Sequence, residues 1–456
     1  MSNQSTKAKA IPKLNYKQIF LIGFGFLASS LAWSIYNSQV PLILEQRFQL
    51  SGFLTGAVMT IDNFFGVVFQ PLVGAASDRT RTRIGRRMPW IVVGIPICAL
   101  FFSLAPLQKT LWAFMLAIII FNLVMSWWRS PVISLMPDVT ARPLRSKANG
   151  VINMMGGIGS ILAFFFGGML SDIRDDKFYA FFMASVAMMI ALFILLKYVR
   201  EPDSLTYREE HNIPIKDTTA NRWAYEARQM LADDPHAKDE ERADTAGKKR
   251  SIAAFLNLPE AEKRSLLFLL LAVFAWFMGF NAIEAFFTLF ATNTYGISGG
   301  SATIMLAGFS LTFLIFAIPA GMLGQRIGRK RTILLGLLGI CLLFLPILAR
   351  PQQWLVQVLL IAGGICWAMV NINSLPMVLE FSSNKTVGTF TGYYYFFSFT
   401  SAIVSPILYG FIKDLLDTHA YLFAFSVICY ALAFVFMLFV KHGDNLELAP
   451  ENIKKV

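Results

Sequence analysis

The chain has 456 residues, of which 56% are hydrophobic, 14% aromatic and only 15% charged, with a formal net charge of +12 and a mean hydropathy of +0.56. Water-soluble domains carry roughly 25% charged residues, so an ordinary soluble fold is excluded. The positive charge does not mark a nucleic-acid binder, because the lysines and arginines cluster in short connections between long apolar runs, as in loops held on the cytoplasmic side of a membrane.

In chain order, apolar runs fall at 17–44, 54–76, 89–106, 111–137, 148–170 and 178–199, then at 265–291, 301–323, 332–349, 353–380, 388–412 and 421–440. Crossing a bilayer takes about 20 residues at ~1.5 Å each, so the pattern predicts twelve transmembrane helices in an all-α integral membrane protein. The first run follows Lys7, Lys9, Lys13 and Lys17, is too long for a signal peptide and lacks a small-residue cleavage site; the first span is expected to be retained.

Between the second and third runs stands Gly74-Ala-Ala-Ser-Asp78-Arg79-Thr-Arg-Thr-Arg-Ile-Gly85-Arg86-Arg87-Met-Pro89. A hairpin this tight must bring two helix ends together and satisfy their free backbone groups. Asp78 lies just past one helix, and Pro89 suits the first turn of the next.

With the amino terminus inside, short inner loops carry Arg79, Arg81, Arg83, Arg86, Arg87, Arg142, Arg145, Lys147, Arg326, Arg329, Lys330, Arg331 and Lys385, against Arg47, Lys109, Arg174, Lys177, Arg350 and Lys413 outside. That asymmetry predicts a cell (plasma or inner) membrane protein with both termini cytoplasmic. Residues 200–264 are polar and charge-dense, and read as a cytoplasmic linker between an amino-terminal bundle (1–199) and a carboxyl-terminal bundle (265–456). His211 and His236 fall there and receive no transport role. Cys98, Cys341, Cys366 and Cys429 sit in apolar runs without metal-ligand spacing, so packing is their expected use; no metal, cofactor or enzyme site is expected.

The halves repeat. Gly321-Met-Leu-Gly-Gln325-Arg-Ile-Gly328-Arg329-Lys-Arg occupies the place of the Gly74–Arg87 motif, and Ser374-Leu-Pro376 echoes Ser134-Leu-Met-Pro137. Two pseudo-symmetric six-helix bundles with a substrate between them near the midplane follow. Gln325 replaces the acidic region, so a charge latch of this kind is expected chiefly in the first half.

Charged groups inside spans cost roughly 2.5–3.5 kcal/mol on insertion scales, which selects for partners or function. Three qualify: Asp62, Arg129 and Glu284. Asp62 shares a helical face with Gly66 and Gln70, and Asn122, Ser126 and Arg129 form a stripe on the fourth span. These stripes are expected to meet, with Asp62 and Arg129 neutralising one another, either as a fixed structural pair or as a working one. Glu284 has no obvious basic partner in the second half; it is read either as a proton-exchanging carboxylate or as a neutral carboxyl bonded to another helix. Aromatic–polar stripes (Trp33, Tyr36 and Asn37; Trp276 and Asn281; Trp367, Asn371 and Ser374; Tyr394 and Ser398) suit an uncharged polyhydroxylated solute, with rings on C–H faces and amides on hydroxyls.

The Gly-x-x-x-Asp-Arg and Gly-Arg-Arg spacing resembles the cytoplasmic gate motif of the major facilitator superfamily. The segment from Gln70 to Ile91, with Pro131–Asp138, Arg145-Ser-Lys-Ala-Asn149-Gly150, Asn373–Glu380 and Gly388–Phe397, is similar to the sucrose–proton symporters and the neighbouring glycoside–pentoside–hexuronide cation symporters. The resemblance implies proton-coupled sugar movement by alternating access. The plant proteins have an arginine where Ile133 stands here, and paired acids of the melibiose-type cation site fall on Gly66 and Gln70; H+ rather than Na+ is therefore the expected coupling ion. The resulting expectation is a monomeric importer of a sugar, a disaccharide or other glycoside. Asp62 and Glu284 would couple protons, while Tyr36, Asn37, Asn122, Arg129, Asn281, Trp367 and Asn371 would bind substrate. Asp78, Arg79, Gly85, Arg86 and Arg87 would gate. An exporter of drugs or metabolites and a non-transporting membrane sensor are the competing readings.

Overall fold

A computed structural model describes residues 14–140, 144–204, 207–208, 212–214, 225, 258–382 and 386–443. Arg142, Lys385, His211, His236 and most of the 200–264 segment lie outside the described residues. Twelve helices are long and apolar enough to cross a membrane: α1 (Tyr16–Arg47), α2 (Gly52–Arg79), α3 (Met88–Leu107), α4 (Leu111–Val139), α5 (Lys147–Ser171), α6 (Phe178–Tyr198), α7 (Glu260–Tyr295), α8 (Gly299–Ile327), α9 (Arg329–Ala349), α10 (Gln353–Leu379), α11 (Val387–Leu416) and α12 (His419–Phe439). Each corresponds to one predicted run, and α7 begins at Glu260, ahead of the expected 265.

The helices sort into two bundles with separate apolar cores, one built around Trp128, Phe102 and Phe121, the other around Trp276, Phe286 and Phe287. Their packing is equivalent: α1 packs on α5 and α6 as α7 does on α11 and α12, while α4 packs on α2 and α3 as α10 does on α8 and α9. The bundles meet where α2 packs on α11, α5 on α8 and α1 on α7. The loops divide between two ends. The basic end carries Arg79–Arg87, the turn at Gly328 and both ends of the described chain; the opposite end carries the α1–α2, α5–α6, α7–α8 and α11–α12 connections.

Among the described residues, hydrogen bonds and ion pairs between bundles occur only at mid-depth and at that opposite, sealed end: Gln39 Nε2 to Thr303 Oγ1 at 2.7 Å, Thr288 Oγ1 to the Ser38 carbonyl at 2.9 Å, and contacts of Glu45, Asp172 and Asp414. These ties close the end opposite the basic loops.

Three helices depart from regular winding near the interface. α2 breaks at Thr60 (φ −95°, ψ −9°), whose hydroxyl donates to the Ala57 carbonyl at 2.8 Å. α1 and α5 contain wide π-type turns at Ile43–Arg47 and Ala163–Gly167, a feature frequent at functional sites. Helix contact also depends on absent side chains: a Cβ at Gly159 of α5 would collide with the Leu27 carbonyl of α1. Gly159→Val should therefore push α1 and α5 apart and cost about 1–3 kcal/mol, read as a lower thermal midpoint in detergent.

Candidate functional site

A cavity of about 290 Å³ lies between the bundles. On α1, Ser30, Trp33, Ser34 and Asn37 recur at steps of three, one and three, which places them on one helical face, and that face lines the cavity. α2 contributes Asp62, Asn63, Gly66 and Gln70, just past the break at Thr60; α4 contributes Arg129 and α5 Ser160. From the second bundle come Asn281 and Glu284 of α7 and Phe399 of α11.

The three membrane-embedded charges thus share one chamber. Asp62 and Arg129 do not form the expected ion pair: neither is within salt-bridge distance of the other. Asp62 Oδ1 instead accepts from the neighbouring Asn63 amide at 3.0 Å, and the Arg129 guanidinium sits 5.9 Å from the Trp33 ring centroid, within cation–π reach. The reading of this pair as a fixed tie between helices is not supported. Glu284 does have a partner, but across the interface: Asn37 Nδ2 of the first bundle donates to its Oε1 at 3.0 Å. Asn281 Nδ2 reaches Ser401 Oγ at 3.4 Å on α11.

Four expected binding residues stand outside the cavity. Tyr36 is fully buried, stacks on Phe121 at 5.9 Å and accepts from Asn122 Nδ2 at 3.1 Å, so the two side chains meet within the first bundle. Neighbours on a helix point about 100° apart, and only Asn37 of the Tyr36-Asn37 pair faces inward. Trp367 lies flat on Phe280, with ring centroids 4.4 Å apart and planes within 1°, and belongs to the second core. Asn371 is half-buried on α10 and does not line the chamber. The α1 serines and Ser160 were not singled out from sequence, although the 30–33–34–37 spacing carries the signal for the former.

The loop at the basic end is a charge network. Arg87 pairs with Asp78 and donates to Ser77, and its Nε reaches Asp138 Oδ2 at 3.1 Å; Arg86 Nη2 reaches Asp138 Oδ1 at 2.7 Å. Arg79 is exposed and stands apart from these contacts. Two further acids complete the loop. Asp138 ends α4, and Glu201, just beyond α6, accepts from the backbone N–H groups of Arg86 at 2.9 Å, Arg87 at 2.9 Å and Met88 at 3.1 Å, capping α3. Gly85 (φ +119°) is required twice over, since a Cβ there would strike the Glu201 carboxylate.

Glu201 sits at the opening of the segment read as linker, yet it is 1% exposed and built into the first bundle. Removing its side chain as Glu201→Ala would strand buried helix-start N–H groups and should cost about 1–3 kcal/mol per unsatisfied group at most, seen as a lower unfolding midpoint. Burial, the largest influence, pushes the Glu201 carboxyl above its ordinary value, against the pull of the three N–H donors; the Asp138 charge also raises it. A raised folded-state value means the fold holds this proton more tightly, so its contribution is full below the unfolded value and is lost as pH rises through the folded one. Relative to Glu201→Gln, the unsubstituted protein should gain thermal stability as pH falls from neutral through that window.

A charge latch was expected chiefly in the first bundle, because Gln325 replaces the acidic region in the second. The second bundle has one of different composition: Arg329, following Gly328 (φ +96°), pairs with Glu380 at the end of α10 and donates to the Pro376 carbonyl at 3.2 Å. The acid comes from the helix equivalent to α4, as Asp138 does, rather than from the loop.

Comparison with known proteins supplies an independent frame. A family model described as Major Facilitator Superfamily matches residues 22–298 and 269–454. An isoprimeverose transporter of Lactiplantibacillus pentosus is 24% identical over 218 residues, spanning 44% of this chain and 45% of that protein, less than half its length. A class H tetracycline resistance protein of Pasteurella multocida is 23% identical over 406 residues, 87% of this chain and 89% of its own. The crystal structure of the nucleoside transporter NupG superposes with a TM-score of 0.66 over 94% of this chain and 100% of that one, at 15% identity, a likeness of fold.

Proposed function

The chain belongs to the major facilitator superfamily, a family of membrane transporters and not of enzymes, and from that premise we propose that it carries a sugar together with a proton, the two bundles alternating access to the central chamber. The observation that carries the reading is the hydrogen bond between Asn37 and Glu284, which ties one bundle to the other through a carboxylate inside the cavity. A group whose proton state changes how the bundles are joined is the element that coupling requires. The lining supports a sugar: Asn37, Asn63, Gln70, Asn281 and three serines offer donors and acceptors in number, and Trp33 and Phe399 offer apolar faces. The similarity to an isoprimeverose transporter points the same way.

Asp62 and Glu284 are assigned to proton exchange, and Arg129 to balancing the charge of Asp62 or contacting substrate hydroxyls. The excess of positive loops supports a cytoplasmic basic end and cytoplasmic termini, and with the ties gathered at the opposite end the described conformation is read as inward-facing. The protein acts as a monomer in the cell membrane, because each chain encloses a chamber of its own.

The long match to a tetracycline resistance protein supports one rival, an exporter on the same fold. Purified protein in proteoliposomes separates the two. Lumenal acidification when one of a panel of mono- and disaccharides is added outside is expected. No acidification and no entry of radiolabelled sugar, with drug extrusion driven by an imposed pH gradient, would replace symport with export.

A further inference from the structure

The sealed end carries a repeat that the gate and the chamber do not use. α5 ends in Gly168-Met-Leu-Ser-Asp172 and α11 in Gly410-Phe-Ile-Lys-Asp414, the same Gly-x-x-x-Asp spacing on helices with equivalent places in their bundles. Opposite each stands a helix that begins Ser-Gly: Ser51-Gly52 opens α2 and Ser298-Gly299 opens α8.

The contacts follow the repeat. Asp414 Oδ1 accepts from the Gly52 N–H at 2.6 Å and its Oδ2 from the Phe53 N–H at 2.8 Å. Asp172 Oδ1 accepts from the Gly300 N–H at 2.9 Å and its Oδ2 from the Ser298 hydroxyl at 2.5 Å. Each serine caps its own helix, Ser51 accepting from Leu54 N and Ser298 from Ser301 N. In each pair the glycine one turn before the aspartate lets the backbones touch: a Cβ on Gly410 would meet the Gly52 carbonyl, and one on Gly168 the Gly300 carbonyl.

We infer that Asp172 and Asp414 form a paired latch in which each bundle holds the first turn of a helix in the other, and that both carboxylates release when the sealed end opens. A carboxylate at a helix start is held by free N–H groups and by the positive end of the helix dipole, and each such contact here crosses between bundles. The pairing is reciprocal: the second bundle's Asp414 holds α2 of the first, and the first bundle's Asp172 holds α8 of the second. On the Asp414 side, Lys413 bridges to Glu45 at 2.8 Å, and Glu45 also meets His419 at 2.8 Å; on the other side Lys177 stands 3.8 Å from Asp172. The inference rests on alternation between the bundles and is independent of what the chamber carries.

The test is the distance across the sealed end. Spin labels at Lys109→Cys and Gln353→Cys, one on each bundle, are introduced with the four natural cysteines replaced by alanine, and distances are read by pulsed electron resonance. Asp172→Asn and Asp414→Asn each lose an acceptor oxygen while keeping shape. Each should raise the long-distance population about threefold and the two together about tenfold. An unchanged distribution in the double variant, or a single variant that reproduces the whole effect, overturns the pairing. Hydrogen exchange of the unsubstituted protein reads the same event without risk of misfolding. The first-turn amides of α2 and α8 should show matching protection, and protection differing by more than about tenfold would mean that the two contacts open separately. Absence of sugar transport leaves both readings intact, since neither involves substrate.

Discussion

Glu284→Gln should abolish sugar-driven lumenal acidification in proteoliposomes while preserving sugar exchange across the membrane at equal pH. Glutamine keeps the shape of the side chain and an oxygen to accept from Asn37 Nδ2, so the bridge between α1 and α7 persists. It has no proton to exchange. Concentrative uptake should fall at least about tenfold, the equivalent of ~1.4 kcal/mol of lost driving force. Asn37→Ala gives the complementary result: the carboxylate remains but its tie to the first bundle is gone, so sugar and proton movement should lose their strict ratio. Should Glu284→Gln acidify the lumen like the unsubstituted protein, coupling would pass to Asp62, and Asp62→Asn would then be the variant without a sugar-driven signal.

The second large effect is expected at the basic end. Asp138→Ala leaves Arg86 and Arg87, both nearly buried, facing each other without the carboxylate between them. Removing one member of a buried charged network commonly costs about 3–5 kcal/mol, because the remaining charges stay desolvated and lose an acceptor they shared. Asp78 still reaches Arg87, and its side chain is 54% exposed, so it offsets only part of the loss. A drop in thermal midpoint well beyond that of Asp78→Ala is the expected order. Arg79→Ala, six residues before Gly85, should leave the midpoint unchanged, since Arg79 is exposed and outside the network. Equal losses in Asp138→Ala and Arg79→Ala would contradict this division of labour.

The helices were legible because their signal is long and redundant: about 20 apolar residues leave little choice, and the repeat between Gly85-Arg86 and Gly328-Arg329 gave the two bundles away. The chamber was partly legible. Asp62, Arg129 and Glu284 stand out because charge in a span is rare, and all three line it. Tyr36 and Asn122 read as site residues because both are polar within spans, yet they face one another inside the first bundle, joined by one hydrogen bond; periodicity finds the face of a helix but not which neighbour it meets. Trp367 was misplaced for a related reason, as a tryptophan that stacks on a phenylalanine and one that waits for a sugar look alike in sequence. Glu201 was passed over because it opens the polar segment read as linker, and capping from so far along the chain leaves no local signature.

That last contact also bears on biosynthesis. The start of α3 is capped by a residue 115 positions further on, so when the third span leaves the ribosome its first turn has no acceptor for the N–H groups of Arg86, Arg87 and Met88. At a translation rate of about 5–20 residues per second, the wait is roughly 6–23 s, during which α4, α5 and α6 are made. The first bundle can lock its inner corner only after the sixth helix is complete, which makes six helices plus Glu201 the smallest unit able to finish folding before the second half is synthesised. A gene split just before Glu201 should therefore yield a first fragment that the membrane's quality-control proteases remove, whereas one split after Ser204 should accumulate.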